Sequence, residues 1–137
     1  MIHLDTSIAI ALIGEHPAAL RHFAECAAAG EAMVVSSIVY FELCFGVAKS
    51  RRREHNQRRL DQLLSGPLDI APFTERAGLA AGEIRATLEK GGFPIGPFDV
   101  LIAGHALAEG PTRATDDVGE FARVPGLRVA NGTRDPS

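Results

Sequence analysis

Short apolar runs spaced by longer helical stretches constrain this chain more than any other feature. The runs IHLD (2–5), AMVVSS (32–37), LDIAPF (68–73), RATD (113–116) and LRVA (127–130) read as strands. Most of them are separated by helical patterns. One starts after Pro17 and closes on Gly30 as its C-cap, and SIVYFELCFGVAKS places Ile38, Phe41, Phe45 and Ala48 at helical spacing. RREHNQRRLDQLLSG closes on Gly66, and Thr74 caps a helix that Gly91 or Gly92 stops. Pro97 opens a last helix that ends at Gly110. Alternation of this kind builds an α/β domain, here a three-layer α/β/α sandwich around a short central parallel sheet. A chain of 137 residues suits one continuous core, so a single domain is expected over 1–131, with a frayed polar tail at 132–137.

Composition narrows the classes. Hydrophobic residues make up 46% and charged ones 23%, an ordinary profile for a soluble globular protein. No apolar stretch approaches the ~20 residues of a membrane helix, and the start lacks a signal peptide, so a cytoplasmic location is expected. Cys26 and Cys44 lack CxxC spacing and read as core filler rather than a disulfide or zinc site. The net charge of −3 does not advertise nucleic-acid binding. Locally, KSRRREHNQRRL gathers Lys49, Arg51, Arg52, Arg53, Arg58 and Arg59, either a solvated helix face or a phosphate-binding run.

Four acids sit in costly places. Asp5 ends an apolar strand, where ligands collect in a parallel sheet. Glu42 shares a helix face with Ile38 and Phe45, or lies at the edge of that stripe. Asp99 heads the face of Ile102 and Ala103, although an acid in a first helical turn also simply complements the helix dipole. Asp116 and Asp117 follow the strand RAT, and one of them suits the N-cap of a short helix leading to Glu120 and Phe121. Packed together as bare anions these groups would repel. A hard divalent cation such as Mg²⁺, which takes oxygen ligands and phosphate, resolves the conflict.

The ordered set DTS (5–7), VYFEL (39–43), IGPFDVLIAGHAL (95–107) and TDD (115–117) resembles the PIN-domain ribonucleases. It is similar, more narrowly, to their VapC-type toxins from bacterial toxin–antitoxin pairs, over nearly the whole chain. The resemblance implies an endoribonuclease dependent on Mg²⁺ or Mn²⁺. Asp5, Glu42, Asp99 and Asp117 match its four acids, with Asp116 a neighbour that competes for the fourth place. Asp5 and Asp99 would ligate directly, while Glu42 and Asp117 would act through water or hold a second ion. Ser7 and Thr115 fall where small hydroxyl residues order the cluster. Pro97 and Phe98 stand where the family often carries Asn or Ala, which puts Phe98 at the pocket rim. Lys49, Arg51, Arg52 and Arg53 become candidate RNA contacts. The implied partners are an RNA substrate and a cognate VapB-like antitoxin, with a homodimer that joins the antitoxin in a larger complex.

Other classes fit less well. A silent PIN module that only binds RNA or a partner would not need all four acids, and all four are present. A phosphatase with a DxD pair would need an acid where Ser7 stands, and a receiver domain would need acids before its phosphorylated Asp and a Lys after a late strand, which RATDD does not offer. No nucleophilic Ser/His/Asp or Cys/His arrangement stands out. His3 and His105 read as packing residues, and His16, His22 and His55 as surface ones.

Overall fold

The computed structural model describes residues 1–110, 112–115, 124 and 126–131. Five strands are present among them: β1 (Ile2–Leu4), β2 (Met33–Ser36), β3 (Leu68–Ala71), β4 (Thr112–Thr115) and β5 (Arg128–Asn131). They pair in the order β3-β2-β1-β4-β5, and every pair is parallel. The helices are α1 (Thr6–Ile13), α2 (Pro17–Ala28), α3 (Ser37–Lys49), α4 (Arg53–Leu64), α5 (Glu75–Lys90) and α6 (Pro97–Glu109). The α/β architecture expected from the alternation is therefore present, with β1 at the centre of the sheet.

β1, β2 and β3 each end one or two residues inside their apolar runs, for local reasons. β1 stops at Leu4 because Asp5 turns to cap α1, and β2 stops at Ser36 because its hydroxyl caps α3. β3 stops at Ala71 because Pro72 has no N–H to give the ladder. Thr74 caps α5 as expected, its hydroxyl accepting from the Ala77 N–H at 3.2 Å.

Alternation along the strands divides the core. Leu4, Met33 and Val35 join Ile8, Leu12, Val39, Leu43, Leu60 and Leu68 in the larger cluster, beneath α1–α4. His3 and Ser36, from the alternate positions of the central strands, meet His105 of α6. On that side Ile84 and Leu88 of α5 pack with Ala103 and Val124 in a second cluster. The two helices α5 and α6 approach so closely that a Cβ on Gly104 would lie 2.5 Å from the Ala81 backbone, so only glycine fits there.

One helix presents a different face from the expected one. The stripe Ile38, Phe41, Phe45 and Ala48 is not the core side of α3. Val39, Leu43 and Val47 are buried, while Phe41 and Phe45 are 56% and 58% exposed. Both stripes have helical spacing; the sheet accepts the slimmer side chains. Cys26 and Cys44 are free thiols at half-buried positions, and Cys26 packs against the larger cluster as core filler would. His16 is exposed as expected and caps α2, but His22 and His55 are half-buried.

Candidate active site

Three of the four sequence-selected acids lie at the carboxyl edge of the sheet. Asp5 follows the central strand directly and is only 3% exposed. Its Oδ1 accepts from the Ile8 N–H at 3.0 Å, as the N-cap of α1, and from the Ser7 hydroxyl at 2.8 Å. The expected ordering role of Ser7 thus has a geometric counterpart. Glu42, in the second turn of α3, is half-buried, and its Oε1 accepts from the Thr6 hydroxyl at 2.7 Å. Thr6 sits between Asp5 and Ser7, so one hydrogen bond ties the α1 start to the α3 acid. Nothing in the spacing of DTS announced this role for Thr6.

Asp99 occupies the first turn of α6, half-buried, with Gly96 as N-cap. Its Oδ2 would stand 3.2 Å from a Cβ at position 96, so glycine gives the carboxylate its room. Phe41 and Phe98, each preceding an acid, meet with ring centroids 5.8 Å apart. That contact sets the Glu42 turn of α3 beside the Asp99 turn of α6. The β4 strand pairs with β1 through Leu4↔Ala114, so it ends at the same edge as Asp5. Asp116 and Asp117 follow that strand end and lie outside the described residues, as does the short helix expected after them. Thr115 is the last residue of β4.

Lys49, Arg51, Arg52 and Arg53 follow one another across the α3–α4 junction and are all exposed. The three arginines, with Glu54, His55 and Arg58, line a shallow recess of about 460 Å³. Glu42 itself borders a smaller, largely apolar groove of about 210 Å³ between α1, α3 and α4. The recess and the groove share the α3–α4 side of the molecule.

A second polar group lies under the acids, and sequence reasoning missed it. His3 and His105 are fully buried, yet they are not simple packing residues. The His3 Nε2 meets Glu109 Oε2 at 2.6 Å, and His105 Nε2 meets Glu109 Oε1 at 3.0 Å. The Ser36 hydroxyl meets His105 Nδ1 at 2.7 Å. Burial works to raise the Glu109 pKa, but hydrogen bonding and charge from His3, then from His105, outweigh it and hold the carboxyl below its ordinary value. Ser36, His105 and Glu109 therefore form a Ser–His–Glu chain. With Ser36 and His105 wholly inaccessible, it has no path to a substrate. The ligand-type atoms of His3, His105 and Glu109 lie within 4.8 Å of one another, but their hydrogen bonds already satisfy one another. Only the i, i+4 spacing of His105 and Glu109 hinted at this group.

The chemistry of the acidic edge suits a hard cation. Its donors are carboxylate oxygens from separate elements, two of them held by hydroxyls and one also by a helix N-terminus. Oxygen donors of this kind fit Mg²⁺ or Mn²⁺ better than softer metals.

Residues 2–127 match the family model of the PIN domain. The chain is 41% identical over 128 residues to the protein named ribonuclease VapC2 of Rickettsia felis, covering 93% of this chain and 95% of that one. It is 38% identical over 126 residues to the tRNA(fMet)-specific endonuclease VapC of Shigella flexneri, covering 92% and 93%. Among solved structures it resembles VapBC2 of Rickettsia felis bound to a promoter DNA fragment, with a TM-score of 0.87 at 41% identity over 96% of this chain and 98% of that one. DNA-bound VapBC of Salmonella typhimurium gives 0.86 at 34% identity over 96% and 97%.

Proposed function

The chain belongs to the PIN-domain family, and on that premise we propose that it is the endoribonuclease toxin of a toxin–antitoxin pair, cutting RNA at the carboxyl edge of its sheet. The observation that supports the reading is that Asp5, Glu42 and Asp99 stand on turns linked by the Thr6–Glu42 hydrogen bond and the Phe41–Phe98 contact. They come from three separate elements, and hydroxyl groups orient two of them. Curated relatives with 38–41% identity over most of the chain are named as ribonucleases or as a tRNA endonuclease, which supports the reaction class.

In the proposed mechanism Asp5 and Asp99 would hold a divalent cation, Mg²⁺ or Mn²⁺, directly. Glu42 and Asp117 would engage it through water or hold a second ion, with Thr115 and Asp116 as neighbours of that fourth acid. A bound ion of this kind lowers the pKa of a coordinated water and offsets charge on the phosphodiester. The protein's own work is positional. The α1 N-terminus and Ser7 fix the rotamer of Asp5, and Thr6 fixes Glu42 relative to it. Lys49, Arg51, Arg52 and Arg53 attract the RNA backbone toward an edge that would otherwise repel it.

The solved neighbours are complexes of a toxin with its antitoxin, which supports a cognate VapB-like partner for this chain. The apolar helices support a homodimer, with the antitoxin completing a larger assembly. The test is direct. Purified protein should cleave RNA with Mg²⁺ or Mn²⁺ and stop in EDTA, and Asp5→Asn or Asp99→Asn should abolish cleavage while the protein stays folded. Expression alone should slow growth, and Asp5→Ala or Asp99→Ala should relieve it. Cleavage or toxicity undiminished in both variants would overturn the reading.

A further inference from the structure

The buried group of His3, Ser36, His105 and Glu109 takes part in no step of the proposed reaction, yet it is a costly thing to build. Apolar side chains in place of such polar ones often pack with no loss of stability. What a satisfied polar network adds is direction, because each hydrogen bond fixes a distance and an angle that apolar contacts leave free. His105 shows how tightly this network is fixed. Its Nε2 meets Glu109 Oε1 at 3.0 Å, and its Nδ1 meets Ser36 Oγ at 2.7 Å. The rings of His3 and Phe73 stand edge-on to it, with centroids at 4.9 and 5.5 Å. The protons also run in one order. Glu109 is a carboxylate, its pKa held below the ordinary value, so the Nε2 of each imidazole donates to it. A neutral imidazole with its proton on Nε2 accepts at Nδ1, here from the Ser36 hydroxyl. That oxygen accepts in turn from the Ile38 N–H at 3.2 Å.

The members of the network come from the elements that carry the acids. His3 belongs to β1, which leads directly into Asp5. Ser36 is the N-cap of α3, the helix of Glu42. His105 and Glu109 stand on α6, with Asp99 in its first turn about 9 Å from His105 along the axis. Like charges at the edge push these three elements apart whenever no cation stands among them. Below the edge, Glu109 ties α6 to β1, and His105 ties α6 to the start of α3. We propose that His105 and Glu109 are positioning residues of the acidic edge: by joining β1, α3 and α6 beneath it, they hold Asp5, Glu42 and Asp99 in place against their own repulsion. The proposal rests on the nuclease reading and adds the residues that keep its metal site in shape.

The test separates position from stability. Calorimetry gives the Mn²⁺ Kd of the full-length protein, a labelled RNA gives kcat and KM, and chemical denaturation in EDTA gives stability. Asp5→Asn should abolish the Mn²⁺ heat, which assigns the measured site to the acidic edge. His105→Leu and Glu109→Ala break the network at two points. Each should raise the Mn²⁺ Kd and lower kcat about tenfold to hundredfold, with KM for RNA nearly unchanged. Glu109, 26% exposed at its side chain, is the milder site and carries the test if His105→Leu does not fold. Glu109→Gln keeps an acceptor for His3, and its amide donates to the other tautomer of His105, so it should lose stability at neutral pH yet bind Mn²⁺ nearly as the parent does. Leu63→Ala, a core truncation in α4 outside the network, should lose stability and keep the parental Kd. Parental Kd and kcat in Glu109→Ala would overturn the proposal. So would Leu63→Ala losing Mn²⁺ as steeply as Glu109→Ala, or Glu109→Gln binding it as poorly. Mn²⁺ binding that survives Asp5→Asn and vanishes in Glu109→Ala would place the ion on the buried group itself and overturn it as well. If the parent binds Mn²⁺ but cuts no RNA while the Glu109→Ala effect on Kd persists, the nuclease reading fails and the positioning role stands. A parent that binds no Mn²⁺ overturns both.

Discussion

Asp5 serves two purposes that substitution can separate. One carboxylate oxygen caps α1 and accepts from Ser7, and the carboxylate's charge is what a cation would neutralise. Asparagine caps a helix about as well as aspartate, whereas alanine costs about 1 kcal/mol and up to ~2. Alanine also leaves the Ser7 hydroxyl and the Ile8 N–H without this acceptor, adding roughly 1 kcal/mol. For a chain of 137 residues, one kcal/mol corresponds to a shift of about 3–5 °C in Tm. In EDTA, Asp5→Ala should therefore melt about 6–15 °C below the parent. Asp5→Asn should melt within ~2 °C of it, because losing a like charge near Glu42 and Asp99 compensates any loss at the cap. Saturating Mn²⁺ at a hundred times its Kd should raise the parental stability by ~2.7 kcal/mol, about 8–13 °C, and should barely move the asparagine variant. Calorimetric melts of the three proteins with and without metal decide the matter. An asparagine variant as unstable as alanine in EDTA, or as responsive to Mn²⁺ as the parent, would refute the division of labour.

Thr6→Val removes the hydroxyl that holds Glu42, so cleavage should slow about tenfold or more with little change in Tm, measured as kcat on a labelled RNA. Gly104→Ala should drive a Cβ into the α5 backbone at Ala81, costing about 1–3 kcal/mol or more by chemical denaturation, with α5 and α6 spreading apart. Glu109 has its folded pKa held below the ordinary carboxyl value, so its stabilisation is complete above that ordinary value and is lost as pH falls through the folded one. Denaturation of the parent and Glu109→Gln across pH should therefore show a gap that is widest at neutral pH and closes in acid. A gap independent of pH would refute the ion-pairing role of Glu109.

The element order was legible because each strand run ends at a residue that must turn, such as Asp5, Ser36 or Pro72. Asp5 was legible for the same reason: an acid after an apolar strand and before an apolar helix has few other uses. The orientation of α3 was not. Nearly every residue from Ile38 to Val47 is apolar, so two stripes satisfy helical periodicity, and only packing against the sheet chooses Val39, Leu43 and Val47. The buried network was illegible because His3 and Glu109 are 106 residues apart and Ser36 and His105 are 69 apart. Sequence spacing carries no trace of such meetings. It is the topology that creates them.

The central place of β1 also has a consequence in time. As the chain is synthesised, β1 emerges first and finds β2 early, but its other edge waits for Thr112–Thr115. Asp5 cannot meet Asp99 until α6 has followed. Parallel pairings across such sequence distances raise contact order and delay the final assembly. A growing chain therefore has no assembled acidic edge until α6 and β4 have been made.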